Sequence, residues 1–374
     1  MKNFGLAVRL LGKFGNNVMV DPSFWNGKRV FLTGHTGFKG GWLVLWLHRM
    51  GAKVVGYSLP PETKPNLFDT VDVASYCETS TFGDIRDVPA LSKALTDSNP
   101  DVVMHLAAQA IVKTGFDDPV QTFETNVMGT INVMEAVRAL PEHVVCLIVT
   151  SDKCYDNPND GVPLREQDPL GGHDPYSASK GACEVAVTSW QHSYFNDLSM
   201  PVLASGRAGN VIGGGDWSAN RLLADAARAF SKGEALTVRN PLATRPWQHV
   251  LEPLSGYLTL IQKLAADRKL PKAWNFGPVP AVDTSVEKVA EFAAGAWGSG
   301  ARVEVSQNRQ DWEEAHALLL DSTAAVRFLH WRPRLDVPEA VDMTMKWYAR
   351  FYETSGAGMA DYTLAQIDDY CAKL

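Results

Sequence analysis

Five residues suited to a buried strand, Arg29–Thr33, run without a break into Gly34-His35-Thr36-Gly37-Phe38-Lys39-Gly40-Gly41 and then into the apolar stretch Trp42–Met50. The glycine spacing G-x-x-G-x-x-G between a strand and a helix constrains the fold more than any other feature of the chain. One glycine allows the tight turn, a second lets an anionic group approach backbone N–H groups, and a third allows close helix–strand packing. A glycine-rich turn on its own has many uses. The downstream pattern of strands and helices narrows them.

Short β-branched runs at Lys53–Tyr57, Val102–Leu106, Val144–Thr150 and Val202–Arg207 alternate with helical patterns around Trp42–Met50, Ala90–Ser98 and Val120–Leu140, and with a long helix starting near Tyr176. Fully apolar strands separated by helices predict an α/β doubly wound parallel sheet of the Rossmann kind. Beyond about Gly209 the pattern changes to Gly-, Pro- and Trp-rich loops with short strands. The expected division is an N-terminal arm (residues 1–22) outside the core, a dinucleotide-binding domain with the catalytic residues (23–208), and a smaller mixed domain (209–374). Some segments of that smaller domain are expected to return to the larger one. Arg9 and Lys13 interrupt any signal-peptide core, so the first twenty residues are expected to be a short amphipathic arm or to precede a true start at Met19.

A net charge of −7 with no basic block excludes phosphate-neutralising nucleic-acid binding. No apolar run reaches the length of a membrane span. The five scattered cysteines have no C-x-x-C spacing, so neither a metal site nor a disulfide framework is expected, and a reducing cytoplasm fits.

Gly34, Thr36, Gly37, Phe38 and Gly40 are the candidate pyrophosphate contacts. An NAD-selecting fold commonly carries a ribose-binding carboxylate about twenty residues further on. Here the second strand ends in Gly56-Tyr57-Ser58, with no carboxylate and no arginine for a 2′-phosphate. Tyr57, Asp84 and Ile85 are candidates for the adenosine side; Asp84 serves equally well on paper as a helix cap.

Tyr176 and Lys180 lie four apart in Asp174-Pro175-Tyr176-Ser177-Ala178-Ser179-Lys180, which puts both on one helical face. A tyrosine titrates near pH 10 and is a poor base until neighbouring positive charge favours its phenolate. Lys180 and a nicotinamide ring would supply that charge, letting Tyr176 take a proton from a sugar hydroxyl while Ser151 holds the hydroxyl. Asp152 and Lys153, directly after Ser151, add an acid and a base that a plain dehydrogenase does not need. An elimination does need them: a base (Lys153) for the proton beside a new ketone, and an acid (Asp152) for the departing hydroxyl. The same pair also reads as a buried ion pair at a strand end.

Phe24-Trp25, Thr33 to Gly40, Thr150-Ser151-Asp152-Lys153-Cys154-Tyr155, Gly171-Gly172, Tyr176 to Lys180, Arg207 to Trp217 and Arg245-Pro246-Trp247-Gln248-His249-Val250 occur in an order that resembles the CDP-glucose 4,6-dehydratases, members of the extended short-chain dehydrogenase/reductases. The resemblance runs from Ser23 almost to the end. It implies NAD as an internally recycled cofactor, CDP-glucose as substrate and a homodimer packed through two helices of the large domain. It also implies Leu106, Ala107, Ala108, Gln109 and Asn126 along the cofactor groove, and Asn210, Arg221, Arg245 and His249 as substrate contacts. The sequence departs from the family at Ala110–Phe116, in the 157–170 loop, and at Glu313–His316. Another nucleotide-sugar dehydratase or epimerase, and a non-catalytic nicotinamide-binding protein, are the competing readings. Asp152-Lys153 argues against an epimerase, and the intact set of five residues argues against a mere binding module.

Overall fold

A computed structural model describes residues 19–279, 284–298, 300–306 and 317–374. Seven parallel strands form one sheet: β1 (Arg29–Thr33), β2 (Lys53–Ser58), β3 (Thr79–Phe82), β4 (Val102–His105), β5 (Val145–Val149), β6 (Val202–Ala208) and β7 (Ala273–Phe276). Their order is β7-β6-β5-β4-β1-β2-β3. Every residue of β4, β5 and β6 is buried, as the unbroken apolar runs require of strands covered on both faces. The order reverses at β1, so the crevice beyond the carboxyl ends of β1 and β4 is the place where such sheets bind ligands.

The sheet and the region after it are packed by α1 (Phe38–Arg49), α2 (Val88–Ser98), α3 (Gly129–Val137), α4 (Pro175–Ser193), α5 (Leu222–Phe230), α6 (Leu251–Ala266), α7 (Val286–Trp297), α8 (Val337–Thr354) and α9 (Met359–Cys371). The helical pattern at Val120–Leu140 is more divided than the sequence suggests. Pro119–Phe123 is α-helical, Glu124–Met128 is a wide π turn, and α3 resumes at Gly129. Single π turns inside helices tend to mark functional positions, and this one carries Asn126.

Residues after Gly209 form α5, α7 and short strand pairs, including Ala235–Val238 with Arg302–Val305. β7 returns to the main sheet beside β6. One hydrophobic core runs through both parts, from Trp42 and Leu45 to Leu223, Val289 and Met345. The arm of residues 1–22 needs correction at its end. Met19 and Val20 are buried in that core, and the Met19 carbonyl accepts Thr259 Oγ1 of α6 at 2.9 Å; residues 1–18 lie outside the described residues.

Candidate active site

The glycine loop has the geometry its spacing predicts. Gly34 has φ +81°, and a Cβ there would lie 2.7 Å from the Ala107 nitrogen. At Gly40 a Cβ would come within 2.1 Å of the Gly34 carbonyl oxygen. Exposed Gly37 caps α1 with no side-chain hydrogen bond, which leaves first-turn N–H groups of an uncapped helix facing outward. That end suits a pyrophosphate, so the loop fits a dinucleotide. Thr36 is turned away: its hydroxyl donates to the Leu59 carbonyl at 2.8 Å and sits 2.8 Å from Ser58 Oγ. Phe38 is half-buried against Gly213.

At the adenosine end, the Tyr57 hydroxyl donates to the Asp84 carbonyl at 3.2 Å. Asp84 grips Arg86 through both carboxylate oxygens, which holds its carboxyl below the usual range. It is not a helix cap. Asp87 caps α2 instead, accepting the Ala90 N–H at 3.1 Å. Ile85 is buried, its side chain where a Cβ on Gly129 would collide at 2.4 Å. His35, which no sequence pattern singles out, fills the space above Gly56, where a Cβ would meet its ring at 2.4 Å. Burial pushes its pKa down to about 4, so it sits there neutral.

Beyond β4, the N–H groups of Leu106 and Ala107 donate to the Thr33 carbonyl and hydroxyl at 3.1 and 3.2 Å, while Ala108 stays half-exposed. Gln109 and Asn126 interlock. The Gln109 N–H donates to Asn126 Oδ1 at 2.8 Å, and Asn126 Nδ2 donates to the Gln109 carbonyl at 3.0 Å and to Ser179 Oγ at 2.9 Å. Asn126 is only 1% exposed, so it does not line the groove as expected; it braces the loop after β4 against α4. The π turn explains how. The Asn126 carbonyl is taken by the Thr130 hydroxyl at 2.6 Å and the Cys183 thiol at 2.9 Å. His105 bridges Thr33 and Thr130 at 2.7 and 3.0 Å and is held neutral, its pKa pushed by burial to about 3.

The expected catalytic residues converge beyond β5. Ser151 caps a short 3₁₀ turn, Asp152–Cys154, its Oγ accepting the Lys153 N–H at 3.2 Å and donating to Asp152 Oδ1 at 3.0 Å. Asp152 is buried, and burial, opposed by Lys153, Ser151 and Arg245, pushes its pKa up. Lys153 is half-buried, more open than the expected enclosed base. Tyr176 and Lys180 are buried in the first turns of α4, with the Lys180 ammonium 6.0 Å from the Tyr176 ring centre. Gly181 lets α4 close onto the turn, where a Cβ would lie 3.1 Å from the Cys154 carbonyl, and Gly172 lets the preceding loop close onto α4, where a Cβ would lie 2.4 Å from the Ala178 nitrogen. A Cβ on Gly115 would lie 3.1 Å from that of Tyr176, so this departure from the family falls against Tyr176.

Two further groups were not legible as site residues. Glu184, one turn after Lys180 on the same face, binds Arg207 at 2.7 Å and Ser205 Oγ at 2.9 Å, and accepts the Thr150 hydroxyl next to Ser151. Arg207 also donates to the Tyr155 hydroxyl at 2.7 Å. Lys39, inside the glycine motif, has its pKa pushed down to about 8 by burial, then by Lys180 and Arg221, while Asp152 opposes the fall.

The four expected substrate contacts separate. Asn210 is half-buried, its carbonyl accepting the Gln248 N–H at 3.0 Å. Arg221 donates to the Ala110 carbonyl at 3.2 Å and lies 3.6 Å from Asp216. Arg245 is buried with its charge acting on Asp152, and it donates to the Thr244 carbonyl at 2.7 Å. His249 is 0% exposed and meets Trp42 edge-on at 5.6 Å, with burial pushing its pKa down to about 3. It is a neutral core group, not a surface contact, which corrects its assignment. Of the family departures, the 157–170 loop docks through a Leu164–Leu320 bridge; Glu313–His316 lies outside the described residues.

Residues 31–344 match the family model described as GDP-mannose 4,6 dehydratase. A CDP-glucose 4,6-dehydratase of Salmonella typhimurium is 42% identical over 357 residues, covering 94% of this chain and 98% of the relative. Among solved structures, an epimerase from Methanothermobacter thermautotrophicus superposes with a TM-score of 0.78 at 22% identity, over 91% of this chain and 98% of its own. A dTDP-glucose 4,6-dehydratase from Bacillus anthracis, in complex with NAD, gives 0.71 at 18% identity, over 87% and 98%. These distant structural likenesses establish the fold.

Proposed function

Since the chain belongs to the family described by the GDP-mannose 4,6 dehydratase model, we propose that it is an NAD-dependent CDP-glucose 4,6-dehydratase, a hydro-lyase that forms CDP-4-dehydro-6-deoxy-glucose. The observation that carries the reading is the convergence of Ser151, Asp152, Lys153, Tyr176 and Lys180 beyond β5, together with the full-length likeness to the Salmonella enzyme.

Bound at the glycine loop, NAD supplies reversible hydride acceptance between C4 and C6 of the sugar. Tyr176 removes the C4 hydroxyl proton, with Lys180 lowering the cost of the phenolate and Ser151 orienting the hydroxyl. The resulting ketone acidifies C5, and Lys153 takes that proton. Asp152, its carboxyl shifted toward the protonated form by burial, protonates the C6 oxygen as water leaves. Lys153 then returns its proton to C5. One turnover therefore leaves Tyr176 a proton richer and Asp152 a proton poorer. Asn126 and the Glu184–Arg207 pair take no proton; they fix α4 and the Ser151 turn in register.

The region after Gly209 is assigned to the nucleotide, with Asn210, Arg221 and Arg245 as its contacts. Exposed apolar side chains on the helices beside α4 (Val120, Phe123 and Met128) and on α4 itself (Val185) support a homodimer through this face. No described helix is long and apolar enough to cross a membrane; a cytoplasmic enzyme is proposed, in keeping with free cysteines at all five positions.

The test offers the protein NAD and CDP-, dTDP-, UDP- and GDP-sugars in turn. A 4-keto-6-deoxy product from CDP-glucose is expected. Turnover with a different donor alone would remove the cytidine assignment.

A further inference from the structure

Two enclosed polar atoms beside the catalytic turn have no hydrogen-bond partner among the described residues: Asp152 Oδ2 and the Tyr257 hydroxyl. Tyr257, on α6, is 0% exposed. Its ring packs where a Cβ on Gly206 of β6 would lie 3.0 Å away, and meets Phe276 of β7 edge-on at 5.4 Å. The Lys39 ammonium lies 5.9 Å from the centre of the same ring. Asp152 is the charged group whose field bears on the Tyr257 phenol, and it acts on Lys39 as well. The three side chains come from three separate elements: α6, the start of α1, and the turn after β5.

A buried carboxylate oxygen and a buried hydroxyl left unpaired are costly, and folded proteins relieve such pairs with internal water. A water held this way needs two to four polar partners. Asp152 Oδ2 and Tyr257 Oη are two unpartnered groups, and the Lys39 ammonium, 5.9 Å from the Tyr257 ring centre, is the candidate third. We propose that Tyr257 Oη and Asp152 Oδ2, with the Lys39 ammonium beside them, hold one internal water behind the catalytic carboxyl, and that this water returns to Asp152 the proton it loses in each turnover.

The inference rests on the dehydratase reading, and the proton count closes within it. Asp152 gives a proton to the departing C6 oxygen while Tyr176 keeps one from the C4 hydroxyl. The water passes a proton to Asp152 Oδ2 as it accepts one from the Lys39 ammonium. Lys39 is then recharged from solvent, as Tyr176 releases the proton it kept, so the count closes; the charge of Lys180 helps to hold the Lys39 pKa down. A lysine held near pKa 8 gives up and regains a proton readily at neutral pH. The groups facing Asp152 are Ser151 and Lys153 from its own turn, Arg245 from the loop packed on Gly209, Lys39 from α1 and Tyr257 from α6. Tyr257 is a positioning residue here, acting on the sugar through the water and Asp152.

Tyr257→Phe keeps the ring and its packing and removes only the hydroxyl, so the fold should be retained with at most a small loss in melting temperature. With NAD and CDP-glucose, the variant should release one product per active site at the wild-type rate, because Asp152 begins protonated. Later turnovers should run on the order of ten- to a hundredfold slower, within the usual range for losing a proton-transfer group. A crystal structure of the wild-type holoenzyme should hold a water between Tyr257 and Asp152, and that of the variant should not. A wild-type time course in Tyr257→Phe, or a wild-type site without the water, would overturn the inference. Failure of the wild-type enzyme to convert any nucleotide-glucose would count against the functional reading instead.

Discussion

Glu184 and Asp152 are both buried carboxylates beside the turn that begins at Ser151, and they are treated in opposite ways. Glu184 has a partner for each oxygen: Arg207 and Ser205 on one, Thr150 on the other. Asp152 has Ser151 on one oxygen, and among the described residues nothing on the other. A buried carboxylate with donors on both oxygens is held as the charged form, whereas one with a donor on a single oxygen is less well compensated, and burial pushes its pKa up. A third buried carboxylate falls between them. Glu252 accepts the Tyr370 hydroxyl at 2.7 Å and the N–H groups of Arg334 and Leu335 at 2.8 and 2.7 Å, with no cation among the described residues seated on it as Arg207 is on Glu184, and burial pushes its pKa up to about 7.

The comparison breaks most visibly on the reactive side. Lys153→Ala should cut product formation about 10²- to 10⁴-fold while oxidation at C4 persists, read as bound reduced cofactor that appears without product. Equal loss of both steps would mean that this lysine does not act at C5. On the structural side, Arg207→Met strands Glu184 without its cation and should cost about 3–5 kcal/mol of stability by chemical denaturation. A small loss there would contradict the view of Glu184 as the fixed member of the pair.

Smaller effects sharpen the same contrast. Asn126→Ala leaves the Gln109 backbone groups and Ser179 without their partner, and about 1–3 kcal/mol should be lost. Activity should fall with it, because the loop after β4 and α4 lose register. For Glu252 the sign is fixed by its raised pKa. The folded state holds the proton that the unfolded state releases near pH 4.5, so the stability this group contributes is present below that point and lost as pH rises to about 7. Melting temperature should therefore decline from about pH 5 to about pH 8, and Glu252→Gln should flatten that decline.

How much of this was legible in the sequence depends on the reach of each interaction. The glycine loop and the Tyr176–Lys180 pair are local, so spacing alone placed them on a turn and on one helical face. Glu184 carried a usable signal, being the next residue on that face, yet its value lies in Arg207 and Thr150, which only the strand order brings close. Tyr257 and Lys39 had no local sign of their electrostatic coupling to Asp152, which only the tertiary fold creates. The helix at Val120–Leu140 hid its π turn because one extra residue in a single turn shifts the helical register without any compositional mark. Asn126 and His249 were misassigned for a common reason: a polar residue in a motif reads as a contact, whereas burial made one a brace and the other a neutral core group.

The most direct test of the central claim uses CDP-glucose deuterated at C4. If Tyr176, Asp152 and Lys153 act in one enclosed site, the deuterium should appear at C6 of the same 4-keto-6-deoxy sugar, with no net reduction of NAD. Accumulation of reduced, deuterated cofactor alongside a product that keeps its C6 hydroxyl would contradict it.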